Sequence, residues 1–141
     1  MRRIFWDTMV HAYWFENNKN FGGRVQGIHS AMQRRGDVLC SSLLVLGELL
    51  VGPLRTGDQP SSDLIERYFR SPAIMMLDFS PRAARIFAEL RAQQQLKPVD
   101  ALHLAVAASS GVDIFLTNDH RLQKAVVPGI SFIVGLDAPL I

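Results

Sequence analysis

Five short apolar runs, separated by stretches of helical character, constrain this chain more than any other feature. They are Ile4-Phe5-Trp6, Val38-Leu39-Cys40, Ala73 to Leu77, Asp113 to Thr117 and Ile130 to Val134. Short strands of continuous apolar character are those covered on both faces. Alternating with helices, they specify a parallel sheet carrying helices on each side, which places the chain in the α/β class. Ligands of such sheets sit beyond the carboxyl ends of the strands, where the strand order reverses.

The helical stretches have legible punctuation. Met9 to Asn17 forms the first, and Phe21 to Arg35 the second with Gly36 as its stop. Ser42 caps a third, buried helix that carries Glu48 and is ended by Gly52-Pro53. Leu54 to Pro60 reads as a polar connection and Ser62 to Arg70 as a surface helix. Ser80-Pro81 starts a helix that runs to about Gln94, with proline at the first helical position. Pro98 opens another that is apolar nearly all round as far as Ala108, so it belongs at the centre, and Gly111 closes it. Asn118-Asp119 begins a short one.

At 141 residues, the chain fits one domain, 1–141, able to bury roughly two-thirds of its unfolded surface. A net charge of +2 is too small to establish a nucleic-acid partner, although the basic residues are mostly arginine, whose flat fork suits phosphate. The single cysteine, Cys40, excludes an internal disulfide and any zinc pattern, and a reducing cytoplasm is its simplest setting. Charge arrives too early at the N-terminus for a signal-peptide core, and no apolar stretch is long enough for a bilayer, so no membrane partner is expected.

Within Ser42 to Gly52, Glu48 stands alone. Its neighbours three and four positions away are Leu44, Val45, Val51 and Gly52, none of which pairs with a carboxylate. A buried lone charge costs several kcal/mol, so a distant residue or a bound cation must meet it. Strand direction sorts the other acids. Asp7 ends the first strand and Asp119 follows the fourth, so both lie at the carboxyl edge. Asp100, in the first turn of the helix leading into the fourth strand, points to the same place. Asp37 and Asp113 precede their strands and lie on the opposite edge. Taken singly, Asp7 caps a helix, Asp100 serves a helix dipole and Asp119 is a loop or cap residue. Together, four convergent carboxylates repel one another, and Mg²⁺ or Mn²⁺, which prefer hard oxygen ligands, make such a cluster tolerable.

Asp7-Thr8, Glu48 within Gly47 to Gly52, Asp100-Ala101-Leu102-His103-Leu104-Ala105 and Thr117-Asn118-Asp119 occur in this order along essentially the whole chain. In this the chain resembles the PIN-domain ribonucleases, and within them the VapC toxins of VapBC toxin–antitoxin pairs. The resemblance implies a three-layer α/β/α sandwich with a five-stranded parallel sheet. It further implies an endoribonuclease dependent on Mg²⁺ or Mn²⁺, a homodimer, and a cognate antitoxin that blocks the site. Asp7, Glu48, Asp100 and Asp119 would then be the catalytic, metal-holding quartet. Thr117 and Asn118 match a more variable part of the pattern, behind the ligands.

The expected chemistry is hydrolysis of an RNA phosphodiester assisted by one ion, or by two about 4 Å apart. Asp7 and Asp100 are expected to bind directly, Glu48 and Asp119 directly or through water, and Thr8 to hydrogen-bond a ligand from behind. Arg55, Lys97, Arg121 and Lys124 flank the acids in sequence and are candidates for substrate phosphates. His103, one turn after Asp100, reads as a packed or hydrogen-bonded histidine rather than a metal ligand. His120 reads as a solvated loop residue, and His11 and His29 show no clustering. Tyr13, Trp14 and Phe15 cannot share one helix face, so part of that surface, with Leu54 to Arg70, is expected to meet an antitoxin or a second subunit. No nucleophile-elbow signature and no glycine-rich phosphate loop occurs. A receiver domain would need paired acids beside the first strand and a lysine after the fifth, and both are lacking. The rival reading is a PIN-like module that binds RNA or protein without cutting.

Overall fold

The computed structural model describes residues 1–141. Along the chain the elements are β1 (Arg3–Trp6), α1 (Thr8–Phe15), α2 (Gly22–Arg35), β2 (Val38–Ser41), α3 (Leu43–Thr56), α4 (Gln59–Arg70), β3 (Ile74–Met76), α5 (Pro81–Gln93), α6 (Pro98–Ser109), β4 (Ile114–Leu116), α7 (His120–Gln123) and β5 (Phe132–Val134). The five strands form one sheet in the order β3-β2-β1-β4-β5, and every pairing is parallel. Three-layer α/β/α architecture follows, as the apolar strands require. The order reverses at β1: the chain moves outward through β2 and β3, then returns to lay β4 and β5 on the other side.

The central strands hold the core. Ile4, Phe5, Trp6, Ile114, Phe115 and Leu116 are all buried, and Phe5 stacks on Phe115 with ring centroids 5.2 Å apart. Small side chains let α6 press closely against its neighbours, since Ala101, Ala105, Ala107 and Ala108 are buried together with Leu104. Truncating Leu104 to alanine would cost about 2–5 kcal/mol by the usual scale of large-to-small core changes. No helix is long and apolar enough to cross a membrane.

The structure corrects the sequence reading in four places. First, α3 runs through Gly52-Pro53 to Thr56. Proline removes only one backbone bond there, within the last turn. The actual stop is Gly57 at φ 70°, a left-handed conformation from which Asp58 N–H reaches Pro53 O at 2.9 Å. Second, the expected connection Leu54 to Pro60 is therefore mostly helical. Asp58 caps α4 by accepting from Ser61 N–H, so that helix starts at Gln59 rather than Ser62. Third, α3 is not a buried helix. Only Val45 and Leu49 are buried, while Leu43, Val51 and Leu54 face solvent, because the helix packs along a single stripe against α1 and α4. Fourth, β5 begins at Phe132 rather than Ile130, whose N–H is taken by Val127 O in a turn through Gly129 at φ 102°.

At the opposite edge the discarded acids hold the amino ends of the strands. Asp37 pairs with Arg2 at 3.1 Å and Arg35 at 2.8 Å, and Asp113 accepts from Arg3 N–H at 2.7 Å.

Candidate active site

The carboxyl edge at the point of strand reversal opens into a cleft of about 320 Å³. It is lined by Asp7, Glu48, Asp100 and Asp119, with Thr8, Met9, Tyr13, Val99, His103 and Asn118 completing the wall. Each acid arrives from a different segment. Asp7 is the residue after β1 and caps α1, accepting from Thr8 N–H at 2.9 Å. Glu48 comes from the second turn of α3, Asp100 from the first turn of α6, and Asp119 from the loop after β4, where it caps α7. Capping and convergence are thus compatible: Asp7 and Asp119 do both.

The partners of each acid differ. Asp7 Oδ2 accepts from Thr117 Oγ1 at 2.7 Å, and Thr117 Oγ1 in turn accepts from Asp119 N–H at 3.1 Å. Glu48 Oε1 receives two bonds of 2.6 Å, from Thr8 Oγ1 and from His103 Nε2. The bond from His103 above all, then that from Thr8, holds Glu48 below the usual carboxylate range against the effect of burial. Asp119 is drawn to Arg121, whose guanidinium lies 3.0 Å from Oδ2, and this lowers its pKa. Asp100 is shifted the other way, upward, by burial first and then by the negative charges of Asp7 and Asp119. As the side chains stand, no three of them gather closely enough around one point to make a ready-made ion site.

Among the residues expected behind the ligands, Thr8 and Thr117 bond to Glu48 and Asp7, while Asn118 lines the cleft and donates to Tyr13 Oη at 3.2 Å. Of the four basic candidates, only Arg121 touches one of the acids. Arg55, Lys97 and Lys124 are exposed and lie outside the cleft wall. Lys97 is the residue before α6 and Lys124 the one after α7. Tyr13 was not singled out for this site. Its only sequence signal is its place on α1, between one and two turns after Asp7. His103 is the distant partner that Glu48 demanded. Its side chain is 3% exposed, against 34% for that of Glu48.

A second, more apolar groove of about 510 Å³ adjoins the cleft and shares Thr8, Met9 and Glu48 with it. It continues between α1, α3 and α4 past Phe15, Leu49, Leu64 and Ile65. Trp14 and Tyr13 do not extend its wall. Trp14 packs on Trp6, His29 and Tyr68, and Tyr13 on Phe21.

Several solved structures share this fold. VapBC2 from Rickettsia felis, bound to a DNA fragment from its promoter, aligns with a TM-score of 0.75 at 16% identity, covering 94% of this chain and 98% of that one. DNA-bound VapBC from Salmonella typhimurium gives 0.75 at 21%, covering 96% and 99%. VapC20 from Mycobacterium tuberculosis, a Sarcin-Ricin loop cleaving toxin, gives 0.70 at 18%, covering 87% and 96%. At these identities the likeness is one of fold. No curated protein matches the sequence. The model of the PIN domain matches residues 4–127, which take in four of the five strands and all four acids, and this chain belongs to the PIN domain family.

Proposed function

We propose that the protein is a metal-dependent endoribonuclease that hydrolyses RNA phosphodiesters, and that it is the toxin of a type II toxin–antitoxin pair. The observation that carries this reading is the convergence of Asp7, Glu48, Asp100 and Asp119, from four separate segments, on one cleft at the strand reversal. VapBC and VapC proteins with the same fold, one of them described as cleaving the Sarcin-Ricin loop, support it.

The donor set suits a hard divalent cation, Mg²⁺ or Mn²⁺. Its ligand groups are carboxylates, and the upward shift of Asp100, set first by burial and then by the charges of Asp7 and Asp119, is one that a cation opposes. Asp7 and Asp100 would hold it, with Glu48 and Asp119 as further oxygens. Bound there, the ion supplies acidification of a water and neutralisation of the charge building on phosphate oxygens. The chain's own work is orientation. Thr117 fixes Asp7, and Thr8 with His103 fixes Glu48. Arg121 leaves Asp119 for an incoming phosphate, which frees that carboxylate as the substrate arrives.

The same proposal includes a cognate antitoxin lying in the apolar groove between α1, α3 and α4, where it would also cover the cleft. It includes a homodimer, for which exposed Leu43, Val51 and Leu54 of α3 offer an apolar face. A cytoplasmic setting suits the lone buried Cys40.

Two observations favour the rival, non-catalytic module: Asp119 is tied to Arg121, and the acids form no ready-made ion site. Incubation of end-labelled RNA with wild type and Asp7→Asn, in Mn²⁺ and in chelator, separates the two. Cleavage by wild type in Mn²⁺ alone, lost in Asp7→Asn, is the expected result. Binding of RNA without cleavage under any of these conditions selects the rival.

A further inference from the structure

His103 and Glu48 are 55 residues apart in sequence, yet Nε2 and Oε1 stand 2.6 Å from each other. We infer that His103 is the positioning residue for Glu48: its ring donates from Nε2 and, with Thr8, pins one carboxylate oxygen. The inference rests on the reading of the cleft as a nuclease centre.

Chemistry fixes the proton. An ionised carboxylate only accepts, so Nε2 must carry the hydrogen. His103 Nδ1 is buried without a partner. The ring therefore bonds through Nε2 alone. Its orientation is set by packing against Phe5, with ring centroids 6.2 Å apart, and by its place on the tightly packed α6.

Geometry fixes what Glu48 presents. Both donors, Thr8 from α1 and His103 from α6, fall on Oε1, and Oε2 has no protein partner. A free glutamate side chain loses substantial rotamer entropy when it is ordered. Here that cost is met before anything enters the cleft, because two elements besides α3 hold the group in place. The same helix carries Asp100 one turn before His103, so α6 supplies one acid of the quartet and aims another. Glu48 thus keeps Oε2 as its one oxygen free of protein donors, with Oε1 already committed.

The test compares wild type, His103→Leu and His103→Gln. Glutamine can place an amide N–H where the imidazole Nε2 stands, and leucine places none. Long-range ¹H–¹⁵N spectra of the histidine rings, with neither metal nor RNA, must show a hydrogen on His103 Nε2, and a ring without one there overturns the inference. Calorimetric Mn²⁺ titration and steady-state cleavage then read the consequence. His103→Leu is expected to lose about 10- to 100-fold in Mn²⁺ affinity and kcat with KM for RNA nearly unchanged, and His103→Gln to recover most of it. A folded His103→Leu with wild-type Mn²⁺ affinity and kcat, or a folded His103→Gln no better than leucine, also overturns it. If wild type cleaves no RNA, the nuclease reading fails, and the Nε2 hydrogen and Mn²⁺ affinity still decide the role of His103.

Discussion

Thr117 Oγ1 donates to Asp7 Oδ2 at 2.7 Å, joining the ends of β1 and β4 across 110 residues of sequence. The same hydroxyl accepts from Asp119 N–H at 3.1 Å, so one buried side chain links two of the four acids. Thr117→Val keeps the shape and removes both contacts. It leaves the Asp119 N–H without this acceptor and lets Asp7 turn. Urea unfolding should show a loss of about 1–2 kcal/mol, and RNA cleavage should fall about 10- to 100-fold. A valine variant with wild-type kcat would mean that Asp7 is oriented by Thr8 N–H alone.

None of the four basic candidates lines the cleft, and Arg121 alone is paired with one of its acids. Arg121→Ala should weaken RNA binding and lower the slope of log affinity against log salt by about one. Alanine at Arg55, Lys97 or Lys124 should leave that slope close to wild type. Filter binding across a salt series measures all four. Equal losses at all four positions would show that substrate follows overall charge rather than this guanidinium.

The limits of the sequence reading trace to particular residues. The acids at the carboxyl edge were legible because strand direction alone decides which end of a run faces the site; Asp7 and Asp119 fell on one edge, Asp37 and Asp113 on the other. The His103–Glu48 bond was legible only as a need. Glu48 required a partner, but choosing it takes the separation of α3 and α6 in space, which no local pattern encodes. The course of α3 through Pro53 was missed because proline is a sufficient stop only where the next turn lacks its own; here Gly57 and Asp58 supply it.

The groove between α1, α3 and α4 supplies a prediction about the antitoxin. Leu64 is 50% exposed on its wall, so Leu64→Glu should fold normally. It places a charge where an apolar partner segment must dock. Co-purification with a small DNA-binding protein encoded beside the gene should be lost in this variant, while RNA cleavage by the isolated protein persists. Retained co-purification would place the antitoxin on another face.

His11 sets how the fold responds to acid. It is fully buried between Trp6 and Phe69, with ring centroids 5.1 and 5.3 Å away, and neither of its ring nitrogens has a partner. Burial alone pushes its pKa down to about 3, from 6.5. The unfolded chain therefore binds a proton in this window that the folded chain refuses. Stability is fully present above about pH 6.5 and is lost as pH falls toward 3, by up to about 1.4 kcal/mol per unit and about 2 kcal/mol by pH 5. Glu48 and Asp119, held below the usual carboxylate range, act in the same direction but only at lower pH, and Asp100, held above it, opposes them. His11→Leu removes the titration and, with no hydrogen bond to lose, should stay within about 1 kcal/mol of wild type at pH 7. Urea unfolding at intervals from pH 7.5 to 4.5 should give a steep acid loss for wild type and a much flatter profile for the leucine variant. Parallel profiles for the two proteins would assign the acid sensitivity to another group.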